Sequence, residues 1–140
     1  MIVLPQSVRA LPGRYVITLR PENEQPTGDW LFAVHSPEGL TVVHPADPHR
    51  AADTTGSAQE TWVPLYSGGT AHGQDVPGML AALLTPLAAG GVPVFVASTH
   101  DADLILVPDS RLDQAVRLLR AAGHQVTEAG AQHRSPTRSN

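Results

Sequence analysis

The chain has 140 residues, 41% of them hydrophobic and 16% charged. That is enough apolar surface for one compact unit or two very small ones, and it excludes a large multidomain enzyme and a disordered chain. There is no Cys and all nine basic residues are Arg, so thiol nucleophiles, disulfides, Cys-ligated zinc, Schiff-base catalysis and a P-loop are ruled out. The net charge is −4, and no Arg lies between Arg50 and Arg111, a stretch that carries Asp53, Glu60, Asp75, Asp101, Asp103 and Asp109. No nucleic-acid partner is expected, since that binding needs clustered cations; a cationic group is better received.

In chain order, Met1 to Ser7 has neither a basic leader nor a long apolar run, so a cytoplasmic location is expected. Arg14–Arg20 alternates as a strand, and Trp30–His35 and Leu40–Val43 read as two more. A Pro/Glu/Gly-rich loop over 21–29 stands where a helix would join the first two. Segment 45–60 reads as a connector holding at most one helical turn. Thr61–Tyr66 is the next strand, followed by a Gly-rich loop, Ser67–Gly73.

A helix is predicted from Pro77 to Ala89, with Asp75 as its cap, Pro77 in the first turn, a bend at Pro86 and a stop at Gly90-Gly91. Val92–Thr99 and Asp103–Val107 read as buried strands joined by the tight turn Thr99–Ala102. The uncharged run from Val76 to His100 is not a membrane span, because Pro86, Gly90, Gly91 and Pro93 divide it; no membrane partner is expected.

The clearest helix begins at Ser110, with Asp113 as capping partner and Leu112, Ala115, Val116, Leu119 and Ala122 on one face. Arg111, Arg117 and Arg120 lie opposite, Gly123 ends the helix, and His124–Glu128 alternates as a closing edge strand. The tail, 130–140, has no apolar periodicity and is expected to be disordered.

The second half therefore reads βαββαβ, the ferredoxin-like order in which two helices cover one face of a four-stranded antiparallel sheet. The first half reads as a reduced copy: a shift of 63 residues lays Phe32 on Phe95, Val34 on Ala97, Val42 on Ile105 and Pro45 on Pro108. The predicted class is α+β, with a degenerate half and connector (1–60), a complete half (61–129) and the tail.

Two stretches, Gly73–Leu80 opening a helix and Val96–Val107 with its Ser98-Thr99-His100-Asp101-Ala102-Asp103 turn, resemble the ACT domain. With Leu119-Arg120-Ala121-Ala122-Gly123-His124, the closest likeness is to small tandem-ACT proteins such as cytosolic arginine sensors. The resemblance spans roughly Leu11 to Val126, more closely in the second half. His100 departs from it, standing where the family usually has Tyr or Phe. The resemblance implies a regulatory protein without catalytic apparatus that binds an amino acid or other metabolite at a domain or subunit interface.

Residue chemistry alone also allows an amino-acid site. A zwitterion needs donors for its carboxylate and an acceptor for its ammonium. Backbone N–H groups near Gly78 and Met79 supply the former, and Asp103 the latter. Asp75, Gly78, Met79, Ser98, Thr99, His100 and Asp103 are the candidate ligand-binding residues. The plainer reading makes Gly78 a packing residue, Asp75 a cap, and Thr99, Asp101 and Asp103 turn formers.

Seven His raise a metal question, but His44, His49, His72 and His100 are scattered without ligand spacing, and no metal or cofactor is expected. The enzyme alternative is a metal-assisted hydrolase on His72, His100, Asp101 and Asp103; another is a ligand-free dimerisation module. No G-x-S-x-G elbow is present, and the Ser67–Gly73 loop reads as a cover for a ligand. Trp30 and Trp62 are assigned to core or interface packing. A homodimer is expected, because small sheets of this kind expose edges and faces. Output would require a further protein effector.

Overall fold

The computed structural model describes residues 5–21, 24–47, 60–68 and 76–128. The expected connector turn, most of the Gly-rich loop with His72, His49, Asp75 and the tail from residue 130 lie outside them. One sheet contains β1 (Ser7–Ala10), β2 (Tyr15–Arg20), β3 (Phe32–Ser36), β4 (Gly39–Pro45), β5 (Trp62–Tyr66), β6 (Phe95–Ser98), β7 (Asp103–Pro108) and β8 (Gln125–Thr127). Two helices, α1 (Met79–Ala89) and α2 (Leu112–Ala121), complete an α+β fold of ferredoxin type.

The two hairpins have the same strand register at the 63-residue shift. Phe32 pairs with Val43 and Ala33 with Val42; shifted by 63 residues, Phe95 pairs with Leu106 and Val96 with Ile105. Tyr15 faces Pro45 as Trp62 faces Pro108, so β2 and β5 correspond at a shift of 47. The shift shortens because β2 reaches β3 through a loop, whereas β5 reaches β6 through α1.

No element was expected at Ser7–Ala10, where Val8 and Ala10 alternate with exposed Ser7 and Arg9 over only four residues, too short a pattern for periodicity to register. This strand lies between β5, antiparallel with Arg9 opposite Tyr66, and β8, parallel with Val8 opposite Val126. The closing strand β8 is thus at an edge, as expected, but separated from β5 by β1. Val8, Ala10, Val63, Leu65, Ile105, Val107 and Val126 present one face of the sheet to Leu83 and Leu87 of α1 and to Ala115, Val116 and Leu119 of α2.

Both helix starts differ from the expectation. Gly78, in the left-handed region at φ 87°, is the N-cap of α1 with no side-chain cap bond, and Pro77 precedes the helix in a turn, while Asp75, the expected cap, lies outside the described residues. A left-handed glycine reverses the chain directly into the first turn and brings no capping side chain of its own. Ser110 is not a cap either. The Asp109 N–H still donates to the Thr61 carbonyl (2.9 Å), so a 3-10 turn, Asp109–Arg111, intervenes before α2. The Ser110 hydroxyl reaches Glu60 instead (3.3 Å), and α2 has no side-chain cap bond from Asp113 or any other residue.

β6 is exposed rather than buried, with Phe95 and Val96 45% and 37% accessible, because it is an edge strand paired only to β7. Phe95 meets Trp62 edge-on, centroids 5.0 Å apart. Trp30 precedes β3 and is 48% exposed, outside the core.

Candidate functional site

β5 ends, β7 begins and the β6–β7 turn closes at one end of the sheet, because Tyr66 pairs with Leu104 and Ser98 with Asp103. Ser67, the residue after β5, donates its amide to the Asp103 carbonyl (3.0 Å), and its hydroxyl accepts the Asp103 amide (3.0 Å). The Ser98 hydroxyl donates to Asp103 Oδ1 at 2.7 Å, the short distance of a hydroxyl on a carboxylate. Asp103 is therefore fixed at its backbone by one serine and at one carboxylate oxygen by another. Among the described residues no hydrogen bond or ion pair engages Oδ2.

Thr99 builds the turn. Its hydroxyl accepts the amides of Asp101 (3.2 Å) and Ala102 (2.9 Å) and donates to the Ala102 carbonyl (3.1 Å), so its oxygen is committed. His100 and Asp101 stand exposed beside each other, Nδ1 to Oδ1 2.9 Å.

The first half repeats the turn's bonding without its chemistry. Ser36, which matches Thr99, donates its hydroxyl to the Gly39 carbonyl (3.2 Å), just as Thr99 does to Ala102. The residue matching Asp103 is Leu40, 1% exposed, and the one matching Ser98 is His35. The hairpin does not require a carboxylate at this point; the second half carries one in addition.

At the same end, Gly78 and Met79 are held toward β1 and β8 rather than against the hairpin. The buried Gln6 side chain donates from Nε2 to the Met79 carbonyl (2.7 Å), and the Gln6 backbone N–H donates to His124 Nδ1 (3.1 Å). His124, 4% exposed, donates from Nε2 to the Ala82 carbonyl (2.9 Å), which assigns it as the neutral tautomer protonated at Nε2. The Ala82 carbonyl is free because its helical partner would be the N–H of residue 86, which is Pro. Pro86 thus creates an acceptor and His124 satisfies it.

Of the sequence-predicted residues, Ser98 and Asp103 bond directly. Thr99 and His100 lie in the turn between them, Gly78 and Met79 share that end of the sheet without a hydrogen bond to the hairpin, and Asp75 lies outside the described residues. Ser67, Gln6 and His124 were missed as structural partners. The available signal was Pro86, since a proline inside an apolar helix leaves a buried carbonyl that needs a donor from elsewhere. Gly68 also contributes: the Tyr66 ring lies where its Cβ would be, and Arg9 covers that ring at 5.3 Å from the centroid. Among the described residues no three His, Asp or Glu side chains gather as metal ligands, and no helix is long and apolar enough to cross a membrane.

A repeated hairpin whose second copy is equipped with polar groups invites comparison with known proteins. Residues 57–121 match the ACT domain family. The ACT domain is typically a regulatory ligand-binding domain, and the match here runs from the end of the connector through α2, stopping before β8. No curated protein matches the chain.

In fold the chain is similar to a crystal structure from Agobacterium tumefaciens, with TM-score 0.71 and 24% identity over 89% of this chain and 94% of that one. A Vibrio cholerae protein of unknown function has TM-score 0.63 and 22% identity, covering 84% and 90% of the respective chains. The aspartate kinase of Clostridium acetobutylicum, described as an allosteric enzyme, has TM-score 0.59 and 10% identity over 82% of this chain and 33% of that one. The first two cover more of this chain than the ACT match at 57–121, so the shared fold extends beyond that span.

Proposed function

We propose that this protein is a non-catalytic cytoplasmic sensor that binds an amino acid at the end of the sheet formed by Asp103, Ser98 and the start of α1. The observation that carries this reading is the Asp103 carboxylate, held by Ser98 at 2.7 Å where the repeated hairpin has a buried Leu40. A carboxylate with one fixed and one open oxygen is an acceptor for a ligand ammonium. The amides at the start of α1, on the same end, suit a ligand carboxylate.

The tandem arrangement fits an interface site, and the reading includes a homodimer and a separate protein effector. Leu19, Trp30, Val34, Phe95 and Val96 are exposed apolar side chains that a second copy would cover. Binding would act by favouring whichever arrangement of halves or subunits holds the ligand better.

The test is a thermal-shift screen of the full chain against the twenty amino acids, followed by titration of Asp103→Asn. One or a few amino acids should raise the unfolding free energy, by about 2.7 kcal/mol at a hundredfold excess over Kd. Asp103→Asn, which keeps the shape and removes the charge, should abolish the gain. Absence of any shift, or equal binding by the variant, overturns the reading.

A further inference from the structure

Gln6 occupies a position that suits an apolar residue. It continues the buried row of Val8 and Ala10, is itself only 3% exposed, and stands immediately before β1. A buried polar side chain is tolerated when its hydrogen bonds are made, and Gln6 is bonded to three different parts of the fold. Its backbone N–H donates to His124 Nδ1 (3.1 Å), its carbonyl accepts the Gln125 N–H (2.9 Å), and its side chain reaches the Met79 carbonyl in the first turn of α1 (2.7 Å).

The two bonds that reach α1 have different reasons. His124 answers the Ala82 carbonyl, which Pro86 leaves without its helical donor. The Met79 carbonyl has no such need, because its helical donor is the N–H of Leu83. A methionine at position 6 would match the length of glutamine and leave no backbone group of helix or strand unpaired, so folding does not require this side-chain bond. Its effect is to fix the first turn of α1. That turn has no side-chain cap bond and no acidic residue, and among the described residues neither Gly78 nor Met79 bonds to the hairpin that carries Asp103. The placement of the α1 amides relative to the Asp103 carboxylate is therefore set from the other side, by Gln6, whose own backbone is clamped by His124 and Gln125. Gln6 and His124 both lie outside the span 57–121 that matches the ACT domain.

We infer that Gln6 is a positioning residue for the carboxylate end of the amino-acid site, holding the α1 amides in place before a ligand arrives. This rests on the site proposed above and adds the residue that sets the geometry of one of its ends. Groups placed in advance lower the ordering cost of binding. Loss of the Gln6 donor thus weakens the hold on a carboxylate and leaves the hold of Asp103 on an ammonium as it was.

Two fragments separate the ends of the site. In amide NMR titrations of the full-length protein at equal ionic strength, acetate should shift Met79, Leu80 and Ala81 saturably, and methylammonium should shift Ser98 and Asp103. Gln6→Met, which keeps the length and loses the donor, should weaken acetate about fivefold, the scale of one neutral hydrogen bond, with methylammonium unchanged. Asp103→Asn should do the reverse. A residue with a purely structural role would lower stability and affect both fragments or neither. In the wild type the Gln6 side-chain NH2 signals should also move with acetate, a readout that does not depend on the variant folding. Equal weakening of the two fragments, undiminished acetate binding by a folded Gln6→Met, no saturable acetate shift in the first turn of α1, or NH2 signals that stay fixed while that turn titrates would each overturn the inference. If acetate behaves as expected and methylammonium gives no shift, the role of Asp103 fails while that of Gln6 is supported.

Discussion

The two hairpins of the sheet, β3–β4 and β6–β7, share register, length of turn and the hydroxyl-to-carbonyl bond that closes it, yet differ along the turn and at the residue that follows it. In the first, Ser36-Pro37-Glu38-Gly39 leads into a buried Leu40; in the second, Thr99-His100-Asp101-Ala102 leads into Asp103, held by two serines. What the two hairpins share is what the backbone pairing needs, so their differences separate scaffold from side-chain chemistry. Among the described residues, helices lie across the face of the second half and not the first, and β1 and β8 join that half to them.

The largest expected effect breaks that joining. His124→Leu leaves the Gln6 amide and the Ala82 carbonyl without partners in the interior, and each unsatisfied group costs about 1–3 kcal/mol. A loss of about 3 kcal/mol in chemical denaturation is expected. In a Pro86→Ala background residue 86 regains an N–H for Ala82, so the cost of His124→Leu should fall by about 1 kcal/mol. An unchanged cost would mean that His124 acts through packing alone. Among the described residues the first half has no helix and no counterpart of this link.

The hairpins themselves give the next contrast. Gly39 has φ 139°, and a Cβ there would overlap the Arg20 carbonyl oxygen. Gly39→Ala is therefore expected to cost about 2 kcal/mol, because backbone cannot yield as a flexible side chain does. The matching exchange in the other turn, Ala102→Gly, should cost at most about 1 kcal/mol through chain entropy. Denaturant midpoints of the two variants, measured side by side, check the asymmetry; equal losses would show that the turns share one geometry.

How far the sequence revealed this molecule follows from the range of each interaction. The amphipathic face of α2, the strands of both hairpins and their shift of 63 residues were legible, because alternation and helical period are local. The pairing of Ser98 with Asp103 was within reach, since both flank one turn. β1 was not, because four alternating residues acquire meaning only when β5 and β8 lie on either side of them. The helix starts were misplaced for a similar reason: Asp109 belongs to the sheet through Thr61, and Gly78 adopts a left-handed conformation that an Asp nearby does not announce. Burial of β6 was overestimated because apolar composition does not reveal which strand forms an edge. The link from Gln6 through His124 to Ala82 spans 118 positions in its first step and 42 in its second, a relation that periodicity does not encode.

The smallest expected effect concerns the turn that lacks the carboxylate at the Asp103 position but keeps an acid at its tip. The Ser36 hydroxyl and the backbone N–H of Glu38 hold the fully exposed Glu38 carboxyl below its ordinary pKa, against a slight opposing effect of desolvation. A group whose folded pKa is lowered contributes stability that is present above its unfolded pKa and disappears as pH falls through the folded value. Acidification should therefore loosen the β3–β4 turn in the acidic range, below the ordinary carboxylate pKa. Ser36 has one hydroxyl proton to share between Glu38 and the Gly39 carbonyl, so protonating Glu38 releases it to Gly39 and limits the loss. Carboxyl-carbon NMR titration should place Glu38 lower in the wild type than in Ser36→Ala, and Glu38→Gln should leave the neutral-pH stability almost unchanged. A Glu38 titration that ignores Ser36→Ala would assign the shift to the backbone alone, and the two turns would then differ in the use of their acids as well as in the residue that follows them.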